Sequence, residues 1–146
     1  MIGTVKELYF TQNDTNKTRQ NVEKISVDNA GVKKDKFYNK NPMRAILITS
    51  VESYNLAQKN EINIQAGSLG ENILIDINPY ALVQGDRIKI GNTLLEITQN
   101  CTLCQGLSSI DSKLPKLLKN DRGIFAKYLE GSSQIILGAT VQILKS

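Results

Sequence analysis

The chain of 146 residues contains no histidine and no tryptophan. Histidine is the commonest general base near neutral pH and the commonest metal ligand, so its absence excludes cysteine–histidine pairs, serine triads and histidine-based zinc sites. Any acid–base chemistry must therefore use carboxylates, lysine, tyrosine or cysteine. Aromatic residues make up only 5% of the chain. This is thin for a surface that stacks bases, so we expect no nucleic-acid partner.

Long apolar runs and a leader sequence are also missing. No run approaches the roughly 20 residues that a helix needs to span a bilayer, so we expect no membrane association. The first residues lack a basic stretch followed by an apolar one, and so do not resemble a signal peptide. Two cysteines are too few for a secreted scaffold held by disulfides. These features predict a cytoplasmic protein with reduced thiols, folded as a single domain over residues 1–146.

Positive charge is concentrated in one segment of the chain. Residues 33–44 carry five basic side chains against one acid, so this segment alone accounts for the formal net charge of +4. The basic residues are Lys33, Lys34, Lys36, Lys40 and Arg44. A basic loop of this kind suits a phosphate-bearing ligand or an acidic partner, although a solvated lysine-rich loop has the same composition.

Hydrophobic patterning predicts many short strands and two helices. The predicted strands cover residues 2–10, 22–27, 44–48, 71–77, 87–90, 93–98 and 134–144, the last with a break at Gly138. Gly91-Asn92 fits a two-residue hairpin turn. The helices are expected over Ser50–Lys59, after a capping box from Thr49 to Glu52, and over Pro115–Glu130. This pattern favours a mainly β, α+β fold with a barrel-like or sandwich core decorated by helices.

Cys101-Thr-Leu-Cys104 is the first candidate for chemistry. A redox dithiol of the thioredoxin type would open a helix, whereas this pair follows a hairpin strand. A zinc site needs four ligands, and the chain offers no histidine and no second such pair, so we expect no zinc. Two interpretations of this cysteine pair remain open. The cysteines are inert and packed in the core, or one is a loop thiol whose thiolate acts as a nucleophile or a soft metal ligand.

The second candidate is the glycine-rich stretch from Ala66 to Asn72. It is not a phosphate-binding P-loop, because no Gly-Lys-Ser/Thr follows. Closely spaced glycines can still direct several backbone N–H groups at one anion. An ordinary loop entering a strand explains the spacing equally well. No flavin, haem or iron–sulfur motif accompanies either candidate.

Taken in order, several motifs resemble the MOSC domain, a module named from the C-terminal part of molybdenum-cofactor sulfurases. The resemblance covers about two thirds of the chain. The stretches that carry it are Gly31-Val-Lys-Lys-Asp35, Arg44-Ala-Ile-Leu-Ile-Thr49, Gly67-Ser-Leu-Gly-Glu-Asn72, Gly85-Asp-Arg-Ile-Lys-Ile-Gly91, Leu95-Glu-Ile-Thr98 followed six residues later by Cys104, and Arg122-Gly-Ile-Phe-Ala126. The Gly-Glu-Asn and Leu-Glu-Ile-Thr-to-Cys pieces are the specific ones.

The resemblance implies a β-barrel-like fold with one reactive cysteine, which falls on Cys104. In the family this thiol is proposed either to carry sulfur as a persulfide, received from a pyridoxal-phosphate-dependent cysteine desulfurase, or to ligate the molybdenum of a bound pyranopterin cofactor. The first role implies a sulfur carrier that serves molybdenum-cofactor enzymes. The second implies a reductase of N-hydroxylated compounds with a separate electron donor. A binding module with a structural cysteine is the third possibility.

The resemblance also implies which residues would hold the anionic cofactor. They are Lys34, Lys36, Arg44, Gly67, Ser68, Gly70, Asn72 and Arg122. Glu71 is expected to orient the loop. The chain departs from the family pattern at three positions, with Phe37 in place of histidine, Cys101 in place of arginine and Leu103 in place of proline. Because Cys101 adds a thiol that could resolve a persulfide on Cys104, this departure favours sulfur handling slightly over reduction.

Overall fold

The computed structural model describes residues 1–16, 18–101 and 107–145. Its strands are β1 (Ile2–Thr11), β2 (Arg19–Val22), β3 (Lys24–Asp28), β4 (Gly31–Val32), β5 (Ile46–Ser50), β6 (Ile73–Ile75), β7 (Arg87–Ile90), β8 (Thr93–Asn100), β9 (Ile124–Gly131), β10 (Gln134–Ile136) and β11 (Thr140–Leu144). Its helices are α1 (Val51–Lys59), α2 (Leu107–Ile110) and α3 (Leu114–Leu117). None of the described helices is long and apolar enough to cross a membrane.

Within the described residues, seven strands close into a barrel in the order β1-β11-β7-β8-β9-β5-β6 and back to β1. The pair β5–β6 is parallel and the other neighbours are antiparallel. Strand β1 is long enough to pair with β11, β6 and β2 along its length. Closure satisfies the backbone groups that an open sheet would expose at its edges. The predicted mainly β, barrel-like α+β fold is confirmed.

The barrel encloses the main hydrophobic core. Branched aliphatic side chains dominate it, as expected for residues that alternate inward along each strand. A small sheet in the order β10-β3-β4 packs against the barrel and contributes Ile25, Val27 and Ile135 to the same core. A second cluster lies under α1 and contains Ala57, Leu69 and other buried aliphatic residues.

The predicted turns and the first helix are present with small corrections. The hairpin β7–β8 turns at Gly91-Asn92, and Gly91 has the positive φ of 59° that the turn requires. Helix α1 begins after Ser50, whose hydroxyl accepts the N–H of Glu52 at 3.1 Å, so the cap is Ser50 rather than Thr49. Because β5 and β6 are parallel, α1 and the loop after it form the crossover between them.

The predicted helix over Pro115–Glu130 is wrong. Helix α3 ends at Leu117, and Ile124–Gly131 forms β9, which pairs with both β5 and β8. At Gly123, just before β9, a Cβ atom would lie 2.8 Å from Cδ1 of Leu47 and 3.2 Å from the carbonyl oxygen of Ile48, so a larger residue would require β5 or its side chains to shift. Pairing with a strand on each side outweighs the local helix preference, because packing against cross-strand neighbours decides strand formation more than the intrinsic preference of the backbone does.

Candidate cofactor-binding cleft

A cleft of about 500 Å³ brings together parts of the chain that are far apart in sequence. It is bordered by the end of β1, the start of β2, the basic segment, the start of β5, the glycine-rich loop and the start of β9. Seven of the residues that the sequence indicated for cofactor binding line it. They are Lys36, Arg44, Gly67, Ser68, Gly70, Asn72 and Arg122.

Positive charge dominates the wall of this cleft. Four cationic residues line it: Arg19, Lys36, Arg44 and Arg122. Two of them lie over aromatic rings, with the Lys36 ammonium 4.9 Å from the centre of Phe37 and the Arg44 guanidinium 5.0 Å from the centre of Phe125. Within the described part of the chain, no ion pair joins Arg19, Lys36 or Arg44 to a carboxylate. The charges of Lys36 and Arg44 therefore remain available to an anion, whereas the guanidinium of Arg19 hydrogen-bonds the glycine-rich loop and lies near the buried Glu71.

The carboxylate of Asp35 holds the turn that carries Lys36. Asp35 is buried, and its Oδ1 accepts the N–H of Thr11 at 2.8 Å while its Oδ2 accepts the N–H of Phe37 at 3.0 Å. The N–H of Lys36 in turn donates to the carbonyl of Thr11 at 2.8 Å. Because Asp35 is engaged by backbone groups, it fixes the basic segment against β1 without pairing with a neighbouring cation.

The side-chain amide of Asn72 joins three segments instead of facing an open ligand site. Its Oδ1 accepts the N–H of Leu47 at 3.0 Å, and its Nδ2 donates to the carbonyl of Tyr9 at 3.3 Å and to Oδ1 of Asp35 at 3.4 Å. The residue is buried. Asn72 therefore positions β5, β1 and the basic segment around the cleft, and the predicted contact of its amide with a ligand stays a prediction.

The glycine-rich loop lines the cleft, but its N–H groups point elsewhere. The N–H groups of Gly67 and Leu69 donate to the hydroxyl of Tyr54 at 3.0 and 3.2 Å. The N–H of Ser68 donates to the carbonyl of Gln65, and that of Gly70 to the carbonyl of Gly67. In the described conformation these four N–H groups are engaged within the protein, and the contact of Gly67, Ser68 and Gly70 with an anionic cofactor stays a prediction. The N–H groups of this loop donate to the Tyr54 hydroxyl and to carbonyl groups within turns, and the spacing of the glycines does not reveal these acceptors.

Glu71 and Tyr54 form a buried pair beneath this loop. The hydroxyl of Tyr54 donates to Oε2 of Glu71 at 2.6 Å, and the N–H of Gly67 donates to the same oxygen at 3.2 Å. Burial raises the pKa of the Glu71 carboxyl, against the opposing hydrogen bond from Tyr54 and the nearby charge of Arg19. Burial likewise raises the pKa of the Tyr54 phenol. Glu71 orients the loop, as the sequence indicated.

Arg19 is the site residue that sequence reasoning missed. Its Nη2 donates to the carbonyls of Gly67 and Glu71 at 3.1 and 2.6 Å, and its Nη1 donates to the hydroxyl of Thr11 at 3.1 Å. The guanidinium lies 4.9 Å from the ring centre of Tyr9. Arg19 falls between the strands predicted over residues 2–10 and 22–27. Its pairing opposite Thr11, which would have placed it beside the glycine-rich loop, depends on β2 and was not predicted.

Cys101 and Lys34, two of the predicted site residues, are not among the residues that line the cleft. Cys101 is 4% exposed and packs with Leu47 and Phe125, both of which line the cleft. Its N–H donates to the carbonyl of Gly123 at 3.0 Å. Lys34 lines a separate groove and not this cleft, and its predicted contact with the cofactor stays a prediction. Cys104, the predicted reactive thiol and metal ligand, lies outside the described residues.

Because its folded-state pKa is raised, Glu71 gives stability a pH dependence. The unfolded chain ionises first, near the ordinary value of 4.5, so the contribution of Glu71 is largest below that pH and falls as pH rises through the folded pKa. We expect the unfolding free energy of the wild type relative to Glu71→Gln to decrease between pH 4 and 8, by about 1.4 kcal/mol for each unit of raised pKa.

Urea unfolding of both proteins across this pH range measures that difference. Glu130→Gln, which removes an exposed carboxylate at the end of β9, is the reference for losing one surface charge. A difference between wild type and Glu71→Gln that stays constant with pH would contradict the assignment of a desolvated carboxyl beneath the loop.

Comparison with known proteins identifies the family. The model of the MOSC domain matches residues 35–145, and the chain belongs to this family. Membership in this family implies a function that is related, in general terms, to the molybdenum cofactor. No curated protein sequence matches the chain significantly.

Solved structures show the same fold. The YuaD protein from Bacillus subtilis is similar with a TM-score of 0.82 at 19% identity, covering 100% of this chain and 97% of that one. YiiM from Escherichia coli has a TM-score of 0.70 at 19% identity, covering 98% of this chain and 70% of that one. YiiM from Geobacillus stearothermophilus has a TM-score of 0.67 at 17% identity, covering 99% of this chain and 76% of that one. At these identities the likeness concerns the fold.

Proposed function

We propose that this protein binds the molybdenum cofactor in the cationic cleft and carries sulfur for it on the thiol of Cys104. The observation that supports the binding role is the convergence of Lys36 and Arg44 on one cleft without an ion-pair partner among the described residues. A cleft with this charge favours a phosphorylated, anionic ligand.

The donor set of the cleft fits the anionic parts of the cofactor. Arginine and lysine side chains form charge-assisted hydrogen bonds with phosphate, and arginine does so with two donors at once. Lys36, Arg44 and Arg122 would bind the phosphate and the dithiolene end, while Arg19 holds the loop and adds its charge. Phe37 and Phe125 add apolar surface for a flat ring. The bound cofactor would supply a redox-active molybdenum.

The proposed sulfur step uses the Cys104 thiolate as the nucleophile. It attacks the outer sulfur of a cysteine persulfide on a pyridoxal-phosphate-dependent desulfurase, so the donor's S–S bond breaks and its cysteine leaves as a thiolate. A new S–S bond forms on Cys104, without net oxidation or reduction. In a later step the thiolate of Cys101, which is buried behind Leu47 and Phe125, would attack the inner sulfur of the Cys104 persulfide. Hydrosulfide would leave, a Cys101–Cys104 disulfide would form, and a dithiol reductant would return both cysteines to thiols.

Removing two cleft cations is expected to weaken cofactor binding strongly. In Lys36→Ala/Arg44→Ala, two charge-assisted contacts worth about 1.5–3 kcal/mol each are lost, so affinity falls by roughly a hundredfold or more. The measurement is the pterin and molybdenum content of the full-length protein after incubation with isolated cofactor and gel filtration.

Lys33→Ala/Lys34→Ala is the matched control, because it removes the same charge from the same segment but outside the cleft. We expect it to retain the cofactor at the wild-type level. Equal losses in both double variants, or no binding by the wild type, would contradict the cleft as the site. Stoichiometric molybdenum together with reduction of an N-hydroxylated substrate by an added electron donor would favour a reductase instead.

A further inference from the structure

A second groove in the described part of the chain lies apart from the cofactor-binding cleft and shares no lining residue with it. It has a volume of about 990 Å³, and its floor and sides are formed by the end of β2, by β3, by the residues after β4 and by the end of β10. Apart from Lys33 and Lys34, which fall in the Gly31–Asp35 stretch, the lining residues belong to none of the family motifs, and the proposed sulfur chemistry uses none of them. The groove therefore needs its own explanation.

The groove combines exposed apolar side chains with a rim of lysines. Ile136 and Leu137 are 57% and 43% exposed, which is unusual for adjacent large aliphatic residues. Lys24, Lys33 and Lys34 also line it. Glu23 is the acid among its lining residues, so the local charge is positive.

Backbone contacts hold this arrangement in place. Ile136 pairs opposite Lys24, and the N–H of Leu137 donates to the carbonyl of Glu23 at 2.8 Å. The N–H of Lys33 donates to the carbonyl of Ser26 at 2.8 Å. Lys34 adopts a positive φ of 73°, a conformation that costs a lysine about 1 kcal/mol and is concentrated at ligand-binding segments.

We propose that this groove docks an acidic segment of a partner protein, one in which carboxylates alternate with aliphatic side chains. The lysines complement the carboxylates, and Ile136 and Leu137 receive the aliphatic groups. A protein segment fits better than a nucleic acid, because Phe10 is the aromatic residue in the lining and offers little stacking surface. It also fits better than a bilayer, because the surface is recessed.

The position of the groove gives docking a consequence for the cleft. Lys33 and Lys34 face the groove, while Lys36, two residues later, lines the cleft, and Asp35 anchors the turn between them. A docked partner therefore lies beside the turn that carries a cofactor-binding cation. This inference stands on the groove alone and does not depend on the proposed function.

Fluorescence anisotropy with the full-length protein tests the proposal. The probe is a labelled peptide of roughly ten residues with alternating Asp and Leu, compared with an Asp-Ser peptide of equal charge. We expect saturable binding of the Asp-Leu peptide, about tenfold weaker binding of the Asp-Ser peptide, and about tenfold weakening by Lys33→Glu/Lys34→Glu or by Ile136→Ser/Leu137→Ser. Lys36→Ala/Arg44→Ala, which leaves the groove intact, should bind within about twofold of the wild type.

Circular dichroism verifies that each variant is folded before its binding is compared. Absence of saturable binding by the wild type overturns the proposal, as does equal binding by the wild type and both groove variants. Equal affinity for the two peptides overturns the apolar part of the argument and with it the proposal. Recruitment to vesicles containing phosphatidylserine without peptide binding identifies a membrane surface as the partner and also overturns it.

Discussion

Cys104→Ser is expected to abolish sulfur loading completely. A serine hydroxyl is not ionised near neutral pH and cannot form a persulfide, whereas a cysteine thiolate is the attacking form in exchange at sulfur. The protein is incubated with a pyridoxal-phosphate-dependent cysteine desulfurase and L-cysteine, and its intact mass is measured without reductant. The wild type should gain one sulfur atom and the variant none.

Cys101→Ser is the matched control for this experiment. Cys101 is 4% exposed behind Leu47 and Phe125, so a bulky donor protein cannot reach its sulfur in the described conformation. We therefore expect Cys101→Ser to be loaded with sulfur like the wild type. Loading of Cys104→Ser, or no loading of the wild type, would contradict the carrier role. If iodoacetamide fails to label Cys104 in the folded protein, the structural-cysteine alternative is favoured.

Tyr54→Phe is expected to lower the free energy of unfolding by about 2–4 kcal/mol. The hydroxyl of Tyr54 donates to Oε2 of Glu71 and accepts the N–H groups of Gly67 and Leu69. Its removal leaves the N–H of Leu69 without this acceptor and deprives a fully buried carboxylate of a donor. Urea unfolding measures the loss.

Tyr38→Phe is the matched control for Tyr54→Phe. The hydroxyl of Tyr38 donates to Oδ2 of Asp28 at 2.6 Å, a single hydrogen bond in a partly exposed place. Its removal should cost about 1 kcal/mol or less. Equal losses of unfolding free energy in the two variants would show that the hydrogen bonds under the glycine-rich loop stabilise the protein no more than one partly exposed hydrogen bond does. The loop would then need another explanation for its conformation.

The barrel was predictable because most of its strands carry a local signal. Alternation in β1, the Gly91-Asn92 turn and the break at Gly138 each depend on residues close together in sequence. Strand β9 was not predictable in the same way. Its segment follows Pro115 and has the composition of a helix, and only its pairing with β5 and β8 makes it a strand. Long-range pairing of this kind leaves no trace in a short window.

The candidate site was also only partly predictable from the sequence. Motif spacing identified Lys36, Arg44 and Arg122, which converge on the cleft because β5, β9 and the basic segment meet there. Spacing did not show that the N–H groups of the glycine-rich loop are used by Tyr54. The hydroxyl that uses them lies on α1, more than ten residues earlier in the chain. A motif gives residue type and order, whereas the direction of each polar group depends on partners that the motif does not contain.

A crystal structure of the protein loaded with molybdenum cofactor tests the central claim most directly. The account predicts that the cofactor phosphate lies within about 3 Å of donor nitrogens of Arg44 and Lys36. Density for the phosphate among Lys24, Lys33 and Lys34, or a bound cofactor that leaves the cleft empty, would contradict it.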